Sequence, residues 1–359
     1  MIDVTKLNLE KNRRIILISD IHGSLDLFKK LLNKVDYTTD DYLFINGDLC
    51  EKGDNSLGVI HYVKQLSSKS ERVFVTKGNC DILHRYVFEG HEAILDYMKD
   101  GRKSILNEML EVNNKTLDDF HDINDLANYY YKNFKEEVDW LDSLPTAYET
   151  EQSIIIHAGL NETLEQTDEK AALTTPSFYE KGHSEQKIVI VGHWPVSNYR
   201  INDISSNNPM IDYDKRRIAI DGGNKIKRDG QLNALIIEDN HLSHRFVDSL
   251  SNQSYIQKDY TPKQPIKGTV SYPHFEVSII KEEENFTLCK NNSLNIKQWI
   301  KNEYLKDRNG DQAKTNEVST SILSVNANEE VYILDYSCEG YTLIKKENGE
   351  IGWVPKSCK

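Results

Sequence analysis

Residues 1 to about 250 alternate between short apolar runs and stretches of helical periodicity. RRIILIS, DYLFIN, RVFVTK, SIIIHA, KIVIVG, RRIAID and NALIIE have strand length, and each of the first six runs into Gly, Asp, Asn or His. SLDLFKKLLNKV places Leu27, Leu31, Leu32 and Val35 on one helical face, and SLGVIHYVKQL does the same with Leu57, Ile60, Val63 and Leu66. From Ile82 to Ala147 no strand pattern occurs; Tyr130, Phe134, Val138 and Leu141 mark one amphipathic helix of a helical cap. Strand–helix alternation predicts a mixed or parallel sheet covered on both faces, with ligands at the loops leaving the strand ends.

The rhythm breaks at SLSNQSYIQKDYTPKQPIKG, a polar stretch with two prolines that reads as a linker. Beyond it short strands repeat. Phe286-Thr287-Leu288 matches Tyr341-Thr342-Leu343, Lys290 matches Lys345, and Trp299-Ile300 matches Trp353-Val354. Two copies of a small β-barrel are the natural reading. The expected organisation is a catalytic α/β domain at 1–250, a linker at 251–272, and barrels at 273–310 and 316–359. The ending ENGEIGWVP resembles the last hairpin of a bacterial SH3-like domain, with a peptide or glycan as its expected ligand.

Composition narrows the function classes. A net charge of -13 argues against a general nucleic-acid binder, which would carry a basic stripe. It does not exclude a small anionic substrate, because bound cations reverse a local field. No apolar run approaches the ~20 residues that span a bilayer. MIDVTKLNLEKNRR has no apolar signal core, and five cysteines form no C-x-x-C pair, so a cytoplasmic protein without disulfides is expected.

Six short motifs follow apolar runs in the first 225 residues: DIHG (20–23), GDLCEKG (47–53), GNCD (78–81), HAGL (157–160), GHWP (192–195) and IDGG (220–223). Each alone is weak, since a single His at a strand end is usually a hydrogen-bonded structural residue. Together they put two aspartates, three histidines and one asparagine at the ends of successive strands. That is an oxygen and nitrogen donor set suited to Mn²⁺, Fe or Zn²⁺, and large enough for two ions if one carboxylate bridges.

The ordered set resembles the calcineurin-like metallophosphoesterases over roughly residues 13 to 248. Within them it is similar to the branch holding the phosphoprotein serine/threonine phosphatases and the bacterial symmetrical diadenosine tetraphosphatases. The resemblance implies a mixed β-sandwich flanked by helices, two divalent metal ions with Mn²⁺ foremost, and hydrolysis by in-line attack of a metal-bridging hydroxide. It implies that Asp20 and His22 hold the first ion, that Asp48 bridges, and that Asn79, His157 and His193 hold the second. It places the catalytic set at Asp48, Asn79, Cys80, Asp81 and Lys52, and phosphate contacts at Lys52, Asn79 and Arg85, with Lys181 a further candidate. A phosphoprotein is the first expected substrate. A dinucleoside polyphosphate or a phosphodiester is the alternative, and a binding protein with a weakly active metal site is the alternative from another class.

The chain departs from the family where its second motif reads Glu51-Lys52-Gly53 instead of Asp-Arg-Gly, and where Cys80 replaces a histidine that meets the leaving group. Lys52 supplies charge without the bidentate fork of arginine. A nucleophilic Cys80 would need a C-x5-R anion loop, and Tyr86 stands where that arginine would be. A metal-ligand role for Cys80 is disfavoured because Asn79 already occupies that turn; a small buried thiol is the plainer expectation. His84 is an outside candidate for a displaced proton donor. Tyr129, Tyr130 and Tyr131 read as cap packing, and Trp299 and Trp353 as barrel core.

Overall fold

The computed structural model describes residues 2–239 and 241–358. The chain divides into two compact units, Met1–Pro195 with Pro209–Asp248, and Val196–Asn208 with Ser249–Lys359.

The first unit is a sandwich of two mixed sheets. One has the strand order Val4–Lys6, Ala147–Glu149, Ser153–Ile156, Ile188–Val191, Arg217–Ala219, Met210–Asp212; the other runs His241–Val247, Leu232–Glu238, Ile15–Ile18, Tyr42–Asn46, Val73–Thr76. Strand periodicity sends alternate side chains to opposite faces. Leu17, Tyr42, Phe44 and Leu235 therefore meet Tyr148, Ile155, Ile190 and Ile218 between the sheets. Ile16, Ile18, Leu43 and Ile45 point the other way, into a core shared with helices Leu25–Lys34 and Ser56–Lys69 and with the cap. Burial on both faces is why these strands read as continuous apolar runs. Leu57, Ile60, Val63 and Leu66 are buried as their spacing predicts. The strands Val4–Lys6, Met210–Asp212 and His241–Val247, all at sheet edges, escape the apolar-run criterion because their outer faces are solvated.

The stretch 123–143 of the cap forms two helices where one was expected. Ile123–Asn133 ends and Lys135–Ser143 begins at Phe134, whose backbone leaves helical geometry at φ −133°. Phe134 still packs against Tyr129 and Tyr130, and Glu136 and Glu137 open the new helix at its positive end. Tyr130 is fully buried with its hydroxyl donating to the Leu106 carbonyl, whereas Tyr131 is exposed.

In the second unit the duplication takes the form of two three-stranded meanders. Glu276–Glu282, Phe286–Asn291 and Lys297–Lys301 form one; Glu330–Asp335, Tyr341–Lys346 and Glu350–Pro355 form the other. Leu288 pairs with Trp299 as Leu343 pairs with Trp353, and the register shifts at Ile279/Lys281 and again at Ile333/Asp335. The meanders share one core, in which Phe286 stands edge-on to both Tyr341 and Trp353. Trp353 is buried and donates its indole N–H to the Ser319 carbonyl, while Trp299 is only partly buried.

Three expected boundaries change. Segment 251–272 is not a free linker: Gln253–Tyr255 pairs with the strand at 330–332, Ile256 is buried, and Thr269–Val270 pairs with Val318–Ser319. The first repeat does not stop at 310, because Gln312–Thr315 pairs back onto Glu276–Ser278. Residues 196–208 lie within 1–250 yet belong to the second unit, where Ser205–Ser206 pairs with Glu350–Ile351. Isolated polar side chains hide this pairing, since it uses backbone groups only.

Candidate metal centre

The predicted ligands cluster because parallel strands from both sheets end at the same rim. Asp20 follows Ile15–Ile18, Asp48 follows Tyr42–Asn46, Asn79 follows Val73–Thr76, His157 follows Ser153–Ile156, and His193 follows Ile188–Val191. Four of them, Asp20, His22, Asp48 and His193, adopt positive φ values of 48–64°, a costly conformation for side-chain-bearing residues that turns each side chain inward. Glycines make the close approach feasible. A Cβ on Gly78 would lie 2.2 Å from Asp48 Oδ1, and one on Gly192 would lie 2.4 Å from Asp20 Oδ2.

His22 Nε2 stands 3.9 Å from Asp20 Oδ1 and 3.8 Å from Asp48 Oδ2, and His157 Nε2 stands 3.3 Å from Asp48 Oδ1. His22 Nδ1 faces the Cys50 carbonyl at 3.1 Å and His157 Nδ1 the Asn46 carbonyl at 3.0 Å. A carbonyl can only accept, so both Nδ1 atoms carry the proton and both Nε2 lone pairs face the centre. Burial pulls the His22 imidazole down to about 4, with Lys52 adding to the effect. Burial likewise lowers His193 to about 4, assisted by His157. These rings are neutral near pH 7, as ligands must be.

The donor set fits a pair of cations. Burial, Asp221 and Asp48 push the Asp20 carboxyl well above its ordinary range, the mark of crowded carboxylates short of positive charge. Burial also works against the charge on Asp48, yet the neighbouring His157, His22, Lys52 and His193 outweigh it and set its pKa below the ordinary carboxylate value; with His22 and His193 neutral near pH 7, the Lys52 ammonium supplies lasting positive charge there. With Asn79 Oδ1 turned toward His157 Nε2, at 3.2 Å, the amide oxygen faces the ring's lone pair. The opposite amide orientation would instead donate to His157 and His193. Ligand atoms of Asp48, His157 and His193 fall within 4.8 Å of one another, as do those of His22, Asp48 and Cys80, so two groups share Asp48.

The remaining predicted site residues are placed as follows. Lys52 Nζ lies 3.4 Å from His22 Nε2. Burial opposes its charge, but Cys80, Asp48, Asp20 and Asp221 raise its pKa, so it remains an ammonium. Asp81, expected in the catalytic set, is a tie between two turns: it accepts from the Leu49 and Cys50 amides through Oδ1 and from Gly78 through Oδ2. Burial and Asp48 push it up to about 7 against those three donors. Arg85, expected to bind phosphate, is committed to Asp142 at 2.7 Å and Glu169 at 3.0 Å, and His84 also lies against Asp142 at 3.2 Å. Glu51 turns away into the cap, accepting from the Tyr97 hydroxyl, Ser104 Oγ and the Ile105 amide. Cys80 is buried, and burial followed by Asp48 raises its pKa well above the ordinary thiol value.

Asp221 was not among the predicted site residues, although IDGG stood out in the sequence. It follows Arg217–Ala219 onto the same rim, is buried, and accepts from Gly223 through Oδ1. Its position after a sixth apolar run was the available signal.

A buried set of oxygen and nitrogen donors at the rim of a two-sheet sandwich is the arrangement a pair of cations requires. A profile described as calcineurin-like phosphoesterase matches residues 13–222, and the chain belongs to that family, whose members depend on two metal ions. It is 32% identical over 99 residues to the symmetrical bis(5′-nucleosyl)-tetraphosphatase of Glaesserella parasuis serovar 5, covering 27% of this chain and 35% of that protein. It is 41% identical over 75 residues to the enzyme of the same description from Salmonella paratyphi B, covering 21% of this chain and 26% of that one. The matched stretches thus span only about a third and a quarter of those relatives. A protein serine/threonine phosphatase structure from Saccharomyces cerevisiae aligns at 12% identity and TM-score 0.45, over 70% of this chain and 85% of that one. Among the described residues no helix is long and apolar enough to cross a membrane.

Proposed function

We propose that the protein hydrolyses phosphoanhydrides, with dinucleoside polyphosphates as the substrate class. Asp20 and His22 would hold one ion, Asn79, His157 and His193 the other, and Asp48 would serve both. Bound there, the ions would lower the pKa of a water and neutralise phosphoryl charge. Mn²⁺ suits the oxygen-rich part of the set, and Fe or Zn²⁺ suits the histidines. Lys52 offers a point charge to a phosphoryl oxygen, and Asp81 keeps the 48–50 and 78–80 turns in register. The second unit is assigned no part in the chemical step.

One observation carries the choice of substrate. At the two motif positions where the family resemblance would put a carboxylate–imidazole pair to protonate the leaving group, none stands: Cys80 fills one place, and the Glu51 carboxylate is spent on the cap. A nucleotide phosphate leaves unaided, whereas a serine alkoxide does not. The phosphoprotein expected from sequence therefore becomes the second choice, although the chemistry common to both is unchanged.

The test is kcat/KM with added Mn²⁺ on diadenosine tetraphosphate, p-nitrophenyl phosphate and a phosphoserine peptide. The first two should exceed the peptide by the ~10²–10⁴-fold that a positioned acid is worth. Comparable rates on all three would mean that a proton donor exists and that the substrate assignment is wrong.

A further inference from the structure

Asn79 and Cys80 are consecutive on the single helical turn Asn79–Ile82, so their side chains leave it in directions roughly 100–120° apart. Asn79 reaches His157, at 3.2 Å, while Cys80 reaches the group formed with His22 and Asp48. Asn79 thus faces His157 and Cys80 faces His22 and Asp48, while the two side chains still meet, Asn79 Nδ2 lying 3.5 Å from Cys80 Sγ. The sequence-based objection to a cysteine ligand, that Asn79 fills the turn, does not hold in three dimensions.

The two sides differ in chemistry. Asp48, His157, His193 and Asn79 offer only oxygen and nitrogen. On the other side the buried His22, Asp48 and Cys80 bring one ligand atom each within 4.8 Å of one another, and the buried Asp20 stands beside them, 3.9 Å from His22 Nε2. An ion with Zn-like bonds of about 2.0–2.3 Å in tetrahedral geometry separates its ligand atoms by about 3.3–3.8 Å. The edges from His22 Nε2 to Asp20 and Asp48, 3.9 and 3.8 Å, are within a few tenths of that. An independent feature points to a cation here. Asp221 Oδ2 is buried without a hydrogen-bond partner among the described residues, and its charge bears directly on Asp20.

We infer that Cys80 Sγ is the fourth ligand of the ion held by Asp20, His22 and Asp48, and that this sulfur makes the site prefer Zn²⁺ or Co²⁺ to Mn²⁺. The inference rests on the dimetal reading above and makes the two sites unequal, one thiophilic and one hard. The thiol proton leaves to solvent as the ion enters, because a coordinating thiol is deprotonated outright. Lys52 Nζ, 3.4 Å from His22 Nε2, stands close to the same place and gives way on its flexible four-carbon stem. Its charge then offsets part of the negative charge of three anionic ligands. A thiolate so engaged donates no proton, in keeping with the substrate choice above.

The test loads metal-free full-length protein with Co²⁺ and reads two absorptions. Ligand-field bands report binding, and a sulfur-to-cobalt charge-transfer band in the near ultraviolet reports a thiolate ligand. Wild type should show both. Cys80→Ser should keep the ligand-field bands and lose the charge-transfer band, and Cys50→Ser, which alters a buried thiol outside both groups, should keep both. Zn²⁺ affinity of Cys80→Ser should fall by at least the ~10–100-fold that loss of an outer-shell partner costs, with Mn²⁺ affinity nearly unchanged. Two bound cobalt ions without the charge-transfer band, or a band that survives in Cys80→Ser, would overturn the inference and leave the dimetal reading standing. No cobalt binding at all would sink both. Should Cys80→Ser fail to fold, the ¹¹³Cd resonance of wild type separates sulfur from purely oxygen and nitrogen ligation without a mutation.

Discussion

Glu51 should matter more to the protein's stability than to its chemistry. Its carboxylate is fully buried and receives the Tyr97 hydroxyl at 2.6 Å, Ser104 Oγ at 3.0 Å and the Ile105 amide at 2.8 Å. The adjacent Lys52 amide donates to the Lys103 carbonyl at 2.7 Å, so the turn carrying Lys52 and the cap loop are clasped together. In Glu51→Ala, Tyr97 is half exposed and can turn to water, but Ser104 and Ile105 are buried and lose their acceptor. At ~1–3 kcal/mol for each orphaned group, the loss is about 2–6 kcal/mol, a large share of a typical domain's stability. Glu51→Gln keeps one oxygen for Ser104 and Ile105, and the Tyr97 hydroxyl can rotate to accept from the new amide, so it should lose only ~1 kcal/mol. Urea unfolding of the two variants and wild type measures the difference, and hydrogen exchange at 101–106 should accelerate in Glu51→Ala. If the two variants unfold within ~1 kcal/mol of each other, the carboxylate does not hold the cap and the reasoning about this turn fails.

Other outcomes can be checked alongside. Asp48→Asn should lower bound metal from two ions per chain and remove most turnover, since a neutral amide bridges two cations poorly; elemental analysis of metal-saturated protein decides it. Asp142 is held down to about 2 by His84, then Arg85, against partial burial. A depressed acid contributes stability that is present above its ordinary value of 3.8 and lost as pH falls through 2, so the stability gap between wild type and Asp142→Asn should be open at pH 5 and close below pH 2. A gap that is the same at pH 2 and pH 6 would contradict the pairing. Truncation after Asp248 should lower the Tm of the remaining chain, because Ser205–Ser206 loses its pairing with Glu350–Ile351 and Val196 and Tyr199 lose their cover. An unchanged Tm would mean that 196–208 needs no partner.

Much of this protein is legible in its residues taken in order. Apolar runs buried on both faces announce the strands, and polar residues just past each run announce the rim, because a parallel strand end is where backbone polarity and ligand chemistry coincide. Such rim positions include Asp20, His22, Asp48, Asn79, His157 and His193, whose roles as ligands only the family resemblance supplied. The repeat in the last third was equally plain, since paired meanders need the same alternation twice. What linear order could not decide were matters of direction and partnership. Glu51 looks like a mere departure from the second motif until the cap folds back onto it. Asp81 looks catalytic until its oxygens meet three backbone amides. Arg85 looks free for phosphate until Asp142 and Glu169 take it. Neighbouring residues such as Asn79 and Cys80 share a turn in sequence but meet different partners in space, His157 for one and the group of His22 and Asp48 for the other. Segment 196–208, continuous with the first unit in sequence, completes a sheet of the second. In each case the deciding contact joins residues far apart in the chain. Side-chain direction on a turn and the choice of a distant partner are fixed by packing, which local pattern does not encode.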